Sequence, residues 1–342
     1  MPPRSTSPGE RIAVVGAGMS GMSAARDLAR AGREVVVFDK ARGVGGRMPT
    51  RRHESGAFDH GAQYFTARSE AFRQQVADWC ERGVAAPWQA RVVRAAPGGV
   101  LSESDGEVRH VGVPKMSGLA RDLVAGLEAQ LEIRCGERVA AIEREGAGWR
   151  LDVAGSESAG SGIFEAVALA IPAPQALALL PEGFGVPSLR DRLARVEIDP
   201  CQAVLVHFEA PVDVPLDAAF VAESPLAWIA RNTSKPGRPE AECWVLHGTP
   251  EWSRQHVETD PEEVQARLLE AFASVLDRPL PEPLSASSHR WLHAKTKTPA
   301  GRDCEWLPTE RIGLCGDWMR GSRVEDAFLS GRSLAARMIG EH

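Results

Sequence analysis

The chain has 342 residues, 43% of them hydrophobic, and a formal net charge of −6. This is length for roughly two domains and a sizeable core, and an acidic balance without a long basic run excludes a nucleic-acid footprint. The longest apolar run, 166–180, is broken by two prolines and too short to span a bilayer, and six scattered cysteines without a CxxC pair indicate reduced thiols rather than disulfides or zinc.

In chain order, the first ten residues, MPPRSTSPGE, lack the apolar core of a signal peptide and read as a loose tail of a cytoplasmic protein. Ile12 to Val15 predicts a buried strand. Gly16, Gly18 and Gly21 then form GxGxxG, Met19 and Ser20 lead a helix, and Met22, Ala25, Leu28 and Ala29 recur at helical spacing. Gly32 ends the helix, and EVVVFD is a second strand closing on Asp39. Gly16 makes the tight turn, Gly18 lets the backbone approach a pyrophosphate, and Gly21 lets helix and strand pack closely. The helix N-terminus attracts phosphates, and Asp39 is spaced to accept from a ribose hydroxyl. The alternative is a merely structural βαβ unit.

Lys40 follows the acid, and a second glycine pair, Gly45 and Gly46, precedes Arg47 and Met48. Arg47 can pair with a phosphate, or be one of several solvated arginines on a turn. FDHGAQYFTA (58–67) carries Tyr64, the only tyrosine, in a chain with nine tryptophans. Helices are expected from Ser69 and Ser117, the latter with Leu119, Leu123, Val124 and Leu127 on one face. RVAAIERE, WRLDVA and EAVALAIP, joined by GAG and SESAGSG, read as a β-meander. Strands follow at 201–209, 226–232 and 243–248, with a loop or hairpin turn at 234–242. Asp260 caps a helix over 260–276 with Pro261 at its first position. Ile312 to Cys315 predicts a last strand, then Gly316-Asp317 and a helix from about Val324.

GxGxxG, the acid, GGR and a C-terminal Gly-Asp before a glycine-bearing helix resemble the FAD-binding fold of the flavin amine oxidase superfamily. Within it the segments DKARGVGGRMPTRR, FDHGAQYFTA, VGVPKMSGLARDL, WIARNTSKPGR, HRW and RIGLCGDW…RVEDAFLSG are most similar to renalase and its bacterial relatives. The resemblance implies an α/β protein of p-hydroxybenzoate hydroxylase-like architecture. A discontinuous Rossmann-like FAD-binding domain (1–63, 108–176, 303–342) would accompany an α+β substrate domain (64–107, 177–302). It implies non-covalent FAD, with Asp317 on the ribityl chain, Arg323 and Val324 opening a helix toward the flavin, and the Val139 backbone at the adenine. The structural alternative for Asp317 is a turn-forming Gly-Asp.

The segment after GGR should pass the flavin. Gly61 and Ala62 are small enough for close approach, and Gln63 and Tyr64 would face the substrate, unless Tyr64 only packs. His247, His60, Arg231, Asn232 and Trp291 are further pocket candidates; each has a structural alternative as a buried histidine, a solvated turn or a core anchor. Amine oxidases of the superfamily often carry an aromatic pair and a lysine; here Cys201, Gln202 and Ala203 stand where that lysine is expected. A dihydronicotinamide needs no base, since its ring nitrogen drives hydride loss. The resemblance thus implies oxidation of 2- or 6-dihydro-NAD(P), with oxygen reduced to hydrogen peroxide. The alternatives are an amine oxidase, or a flavin-binding protein without turnover. No nucleic-acid, membrane or metal partner is expected.

Overall fold

The computed structural model describes residues 11–53, 56–104, 106–155, 162–181 and 187–340. The expected tail at 1–10 and most of the 156–162 loop lie outside the described residues. The chain forms two compact units. One comprises residues up to Gly46, Leu119–Glu197 and residues from Thr296; the other comprises Arg47–Gly118 and Ile198–Lys295. These bounds differ from the expected segments: 47–63 and 108–118 pack in the second unit, and 177–197 and 296–302 in the first.

The first unit is Rossmann-like. Its six-stranded sheet runs Glu305–Leu307, Ile312–Leu314, Ala166–Leu169, Arg11–Val15, Glu34–Asp39, Leu131–Cys135. All neighbours are parallel except the first pair. Parallel strands covered on both faces need near-continuous apolar sequence, and Val35, Val37, Val167 and Leu169 are fully buried. Helices Met19–Arg30 and Val324–Ile339 cross tightly, for a Cβ on Gly331 would lie 2.0 Å from the Ser20 carbonyl oxygen.

The expected meander is corrected. Val139–Glu145 and Gly148–Val153 form a two-stranded hairpin, but Ala166–Leu169 leaves it to pair with Arg11–Val15 and Ile312–Leu314. Val139–Glu145 is mostly exposed and residues 149–153 alternate buried and exposed, whereas AVAL is buried throughout, the signature of a central parallel strand. The helix after Ser117 is shorter than its apolar pattern suggests, Gly118–Asp122, and its trailing turns end at Gly126, whose φ is +81°.

The second unit holds a seven-stranded sheet: Pro283–Thr298, Glu197–Phe208, Glu242–Gly248, Leu226–Arg231, Ala218–Val221, Val92–Ala96, Gly99–Glu103. Strand alternation gives it two faces. Val204, Val206, Trp244, Leu246, Ile229 and Ala219 join a core with Val264, Leu268, Phe272 and Val275 of helix Pro261–Leu276. Leu205 and Val245, on the opposite face, pack on Phe58. Ala203, His247, Trp228 and Phe220 are cross-strand neighbours in one row of that second face.

Candidate active site

In the first unit the glycine loop is an uncapped helix start. Gly18 is the N-cap of Met19–Arg30 and makes no side-chain cap bond, so the helix start suits an anion. The glycines differ in what they accommodate. A Cβ on Gly16 (φ +110°) would lie 2.5 Å from the Ala170 oxygen, and one on Gly21 would lie 1.8 Å from the Gly16 oxygen. A Cβ on Gly18 would meet only the Gly46 Cα, at 3.8 Å. Gly46 (φ +56°) returns the contact, its own Cβ falling 3.0 Å from the Gly18 Cα, while Gly45 N–H donates to the Ala17 carbonyl at 2.8 Å. Two glycine loops therefore form a cradle bare of side chains, which fits a dinucleotide pyrophosphate.

Asp39 closes this cradle. Its two oxygens accept from the Ala17 N–H at 2.6 Å and the Ala41 N–H at 2.8 Å. Lone pairs remain for a ribose hydroxyl, but the carboxylate also braces the loop itself. Lys40 beside it is exposed, and Ser20 and Met19 are buried in the helix. Asp317 is buried at the start of a 3-10 turn; the Gly316 N–H donates to Ser330 Oγ at 3.0 Å. Arg323 is exposed, and its backbone N–H donates to Asp326 Oδ2 at 3.0 Å ahead of Val324. Val139 is buried at the start of its hairpin strand.

The other predicted residues lie in the second unit. Arg47 Nη1 reaches the His293 and Ala294 carbonyls at 3.4 and 3.3 Å, and Met48 is buried. The Ala62 N–H donates to the Arg47 carbonyl at 2.9 Å, and a Cβ on Gly61 would lie 2.1 Å from that oxygen. Gly61 is thus required by the protein's own backbone, whatever passes beside it. Gln63 is buried and its amide is committed: Nε2 donates to the Asp59 and Gly61 carbonyls, and Oε1 accepts from Lys235 at 3.1 Å. It acts within the turn rather than projecting to a substrate.

Asn232 is likewise fully buried, donating to the Ala57 carbonyl at 2.6 Å and accepting from the Asp59 N–H at 3.2 Å. Arg231 donates to the Val212 carbonyl at 2.6 Å and lies over the Trp244 ring. Both residues serve internal contacts instead of the solvated turn or ligand site open in the sequence.

Tyr64 packs on Trp228 and Trp88, ring centroids 5.5 and 6.3 Å away, with the Arg109 guanidinium over its face. Trp228 packs on Phe220, and its buried Nε1–H has no hydrogen-bond acceptor among the described residues. A buried donor without a partner costs about 1–3 kcal/mol unless a ligand supplies an acceptor. His247 Nε2 lies 3.2 Å from the His60 carbonyl, so the neutral ring carries its proton there; Trp291 Nε1–H donates to the same oxygen at 2.9 Å. Trp291 stacks on the His60 ring, and His289 meets both edge-on. Burial lowers His247 to about 4, helped by the nearby Lys235 charge, and burial with His289 lowers His60 to about 4. Both imidazoles are neutral at pH 7.

The sequence reading passes over the charged centre of this region. Asp59, Lys235 and Arg238 form a buried ion cluster whose side chains are 0% exposed. SKPGRPEAE (234–242) reads as a loop or hairpin turn, and nothing local marks Lys235 and Arg238 as buried. The strand start that replaces the expected lysine is also internally bonded. Burial pushes the Cys201 thiol up to about 12, and Gln202 donates to the His256 carbonyl at 2.7 Å. A cleft of about 480 Å³ lined by Gln202, Val257, Thr259, Ser288 and Arg290 contains none of the predicted site residues.

Fold and cradle together define an α/β protein of the dinucleotide-binding class. Residues 14–79 match the model of an NAD(P)-binding Rossmann-like domain, and residues 95–339 match that of flavin-containing amine oxidoreductases. The chain belongs to the flavin-containing amine oxidoreductase family, with FAD as its cofactor. The fold is similar to cyclohexylamine oxidase from Brevibacterium oxydans IH-35A at TM-score 0.78 and 14% identity, covering 98% of this chain and 99% of that one. It is similar to putrescine oxidase bound to putrescine at TM-score 0.71 and 14% identity, covering 97% and 99%. An L-amino acid oxidase of Cerastes cerastes is 49% identical over 49 residues, which is 14% of this chain. The matched stretch spans only 10% of that relative's length.

Proposed function

We propose that the chain is a renalase-like oxidase that takes a hydride from a dihydronicotinamide dinucleotide, 2- or 6-dihydro-NAD(P), and passes the electrons to oxygen. The glycine loops and Asp39 hold FAD, with Asp317, Val139 and the Arg323–Val324 helix start as its further contacts. FAD supplies the hydride acceptor. The observation that carries the substrate reading is the aromatic face of the second unit. Tyr64, Trp88 and Trp228 give flat surfaces for a planar ring, and the unpartnered Trp228 N–H is a donor that a carboxamide oxygen would satisfy. His247 and His60 are neutral, so neither imidazole demands an anionic substrate. A dihydronicotinamide loses hydride without giving up a proton, so such a face needs only to orient it.

The second reading, oxidation of a primary or secondary amine, is favoured by the family model itself and by the two solved oxidases. Anaerobic mixing separates them. Dihydronicotinamide isomers should bleach the flavin absorbance in a single turnover, and an amine panel should not. Rapid bleaching by an amine alongside inert dihydronicotinamides would establish the amine oxidase instead.

A further inference from the structure

The turn Asp59–Tyr64 is anchored by an arrangement that neither hydride transfer nor flavin binding requires on its face. Asp59 Oδ2 accepts from Lys235 Nζ at 3.2 Å and from Arg238 Nη2 at 2.7 Å, while Oδ1 accepts from Thr50 at 2.6 Å. One carboxylate faces two cations, so the cluster carries an excess positive charge inside the protein. Arg238 is further held by the Gly112, Pro114 and Pro236 carbonyls. Lys235 spends all three of its protons on oxygens: Asp59 Oδ2, Gln63 Oε1 at 3.1 Å and Asn232 Oδ1 at 3.0 Å. Asn232 holds the start of the turn through the Asp59 N–H, and Gln63 spans it through the Asp59 and Gly61 carbonyls. Lys235 also lies 5.4 Å from the Trp88 ring centroid, part of the wall around Tyr64.

We propose that Lys235 is a positioning residue for the reaction: by donating to Asp59, Gln63 and Asn232 together, it fixes the turn that presents Tyr64. The catalytic part of this rests on the substrate reading above.

The lock depends on the third proton. An ammonium has three donors for three acceptors. A neutral amine has two donors and a lone pair, and that lone pair must face an oxygen that is itself an acceptor. Burial lowers Lys235 to about 8 despite Asp59, with Arg238 contributing. The charged and titratable groups around it are Asp59 on strand Gly56–Asp59, Arg238 on the following loop, and His247 on strand Glu242–Gly248. Asp59 is held below the carboxylate range: burial opposes this, but Lys235, Arg238 and Thr50 outweigh it. His247 is lowered to about 4, and an arginine does not deprotonate. Near pH 8, Lys235 is therefore the member that changes state.

Because Tyr64 is the only tyrosine, ring-¹³C-tyrosine labelling of the FAD-loaded protein reports on this turn alone. The tyrosine signals should move between two positions with a midpoint near pH 8, well below ionisation of a phenol at about 10. In Lys235→Met the step should vanish. That variant should also show a maximal rate of flavin reduction by dihydronicotinamide at least about tenfold lower, with no fall above pH 8, where the wild-type rate declines. Wild-type tyrosine signals without a step between pH 7 and 9, or Lys235→Met reducing flavin at the wild-type rate, would overturn the proposal. Should Lys235→Met not fold, the wild-type titration decides it. Should dihydronicotinamides fail to reduce the wild-type flavin, the substrate reading falls, and the tyrosine titration still reports on the lock.

Discussion

Gly18 and Gly21 occupy the same motif for different physical reasons. Gly21 is glycine because the Gly16 carbonyl leaves no space for a Cβ. Gly18 has φ −76° and ψ −178°, a conformation open to any residue, and its Cβ would make only an ordinary contact with the protein. The space it leaves suits the pyrophosphate proposed above. Gly18→Ala should therefore keep the fold and thermal midpoint of the flavin-free protein, yet purify with FAD content reduced about tenfold or more, a loss of roughly 1.4 kcal/mol. Gly21→Ala should lose stability whether or not FAD is bound. Flavin absorbance and thermal unfolding of both variants test this, and stoichiometric FAD in Gly18→Ala would remove the pyrophosphate from this loop.

At the scale of elements, helix ends follow the local sequence closely. Asp260 Oδ1 accepts from the Glu262 N–H at 2.8 Å, Pro261 stands at the first helical position, and Ser69 Oγ accepts from the Phe72 N–H at 3.3 Å. Helix Pro261–Leu276 packs its apolar stripe under the seven-stranded sheet, far in sequence from the glycine loops. Asp260→Ala should cost about 1 kcal/mol of stability through the lost cap. FAD content and flavin reduction should stay at wild-type values. A shift in urea midpoint of that order with unchanged flavin absorbance is the expected pair of results; an unshifted midpoint would mean the cap is not stabilising.

For the whole molecule, buried neutral histidines make stability pH-dependent on the acid side. His60 and His247 sit at about 4 in the folded protein and near 6.5 in the unfolded chain. Between these values the unfolded chain takes up protons that the folded one refuses. Stability should therefore fall as pH drops from about 6.5 towards 4, with no contribution from these groups above about 7. Asp59 acts in a separate window. Its depressed carboxyl contributes stability that is complete above its unfolded value and lost as pH falls through the folded one. Urea unfolding of the flavin-free protein from pH 4 to 8 measures the histidine window, and His247→Asn should flatten the slope. The same neutral rings predict that flavin reduction by dihydronicotinamide is level between about pH 5.5 and 7.5, whereas amine oxidation would rise as ammonium becomes amine.

How much of this was legible beforehand follows from the range of the interactions. GxGxxG, Asp39, the two flanking strands and the capped helix at 261–276 depend on backbone geometry and short-range periodicity, so a linear sequence carries them. The resemblance to flavin amine oxidases rested on such local segments, and the family model agrees with it. The strand AVAL was visible but its partners were not, because hairpin and parallel crossover differ only in which distant strand it meets. The same limit hid the ion cluster. Asp59 lies 176 residues from Lys235, in a segment that reads as loop, and burial of a lysine is decided by what packs over it. Tyr64 shows both sides. Its singularity and its polar surroundings were plain in FDHGAQYF, but only the tertiary structure turned Gln63 inward, spent Asn232 on the backbone and left Trp228 with a buried N–H beside the tyrosine. Local sequence determined where the chain can hold a nucleotide; long-range packing decided which polar groups remain for a substrate, because each such group is defined by the partners that folding gives to its neighbours.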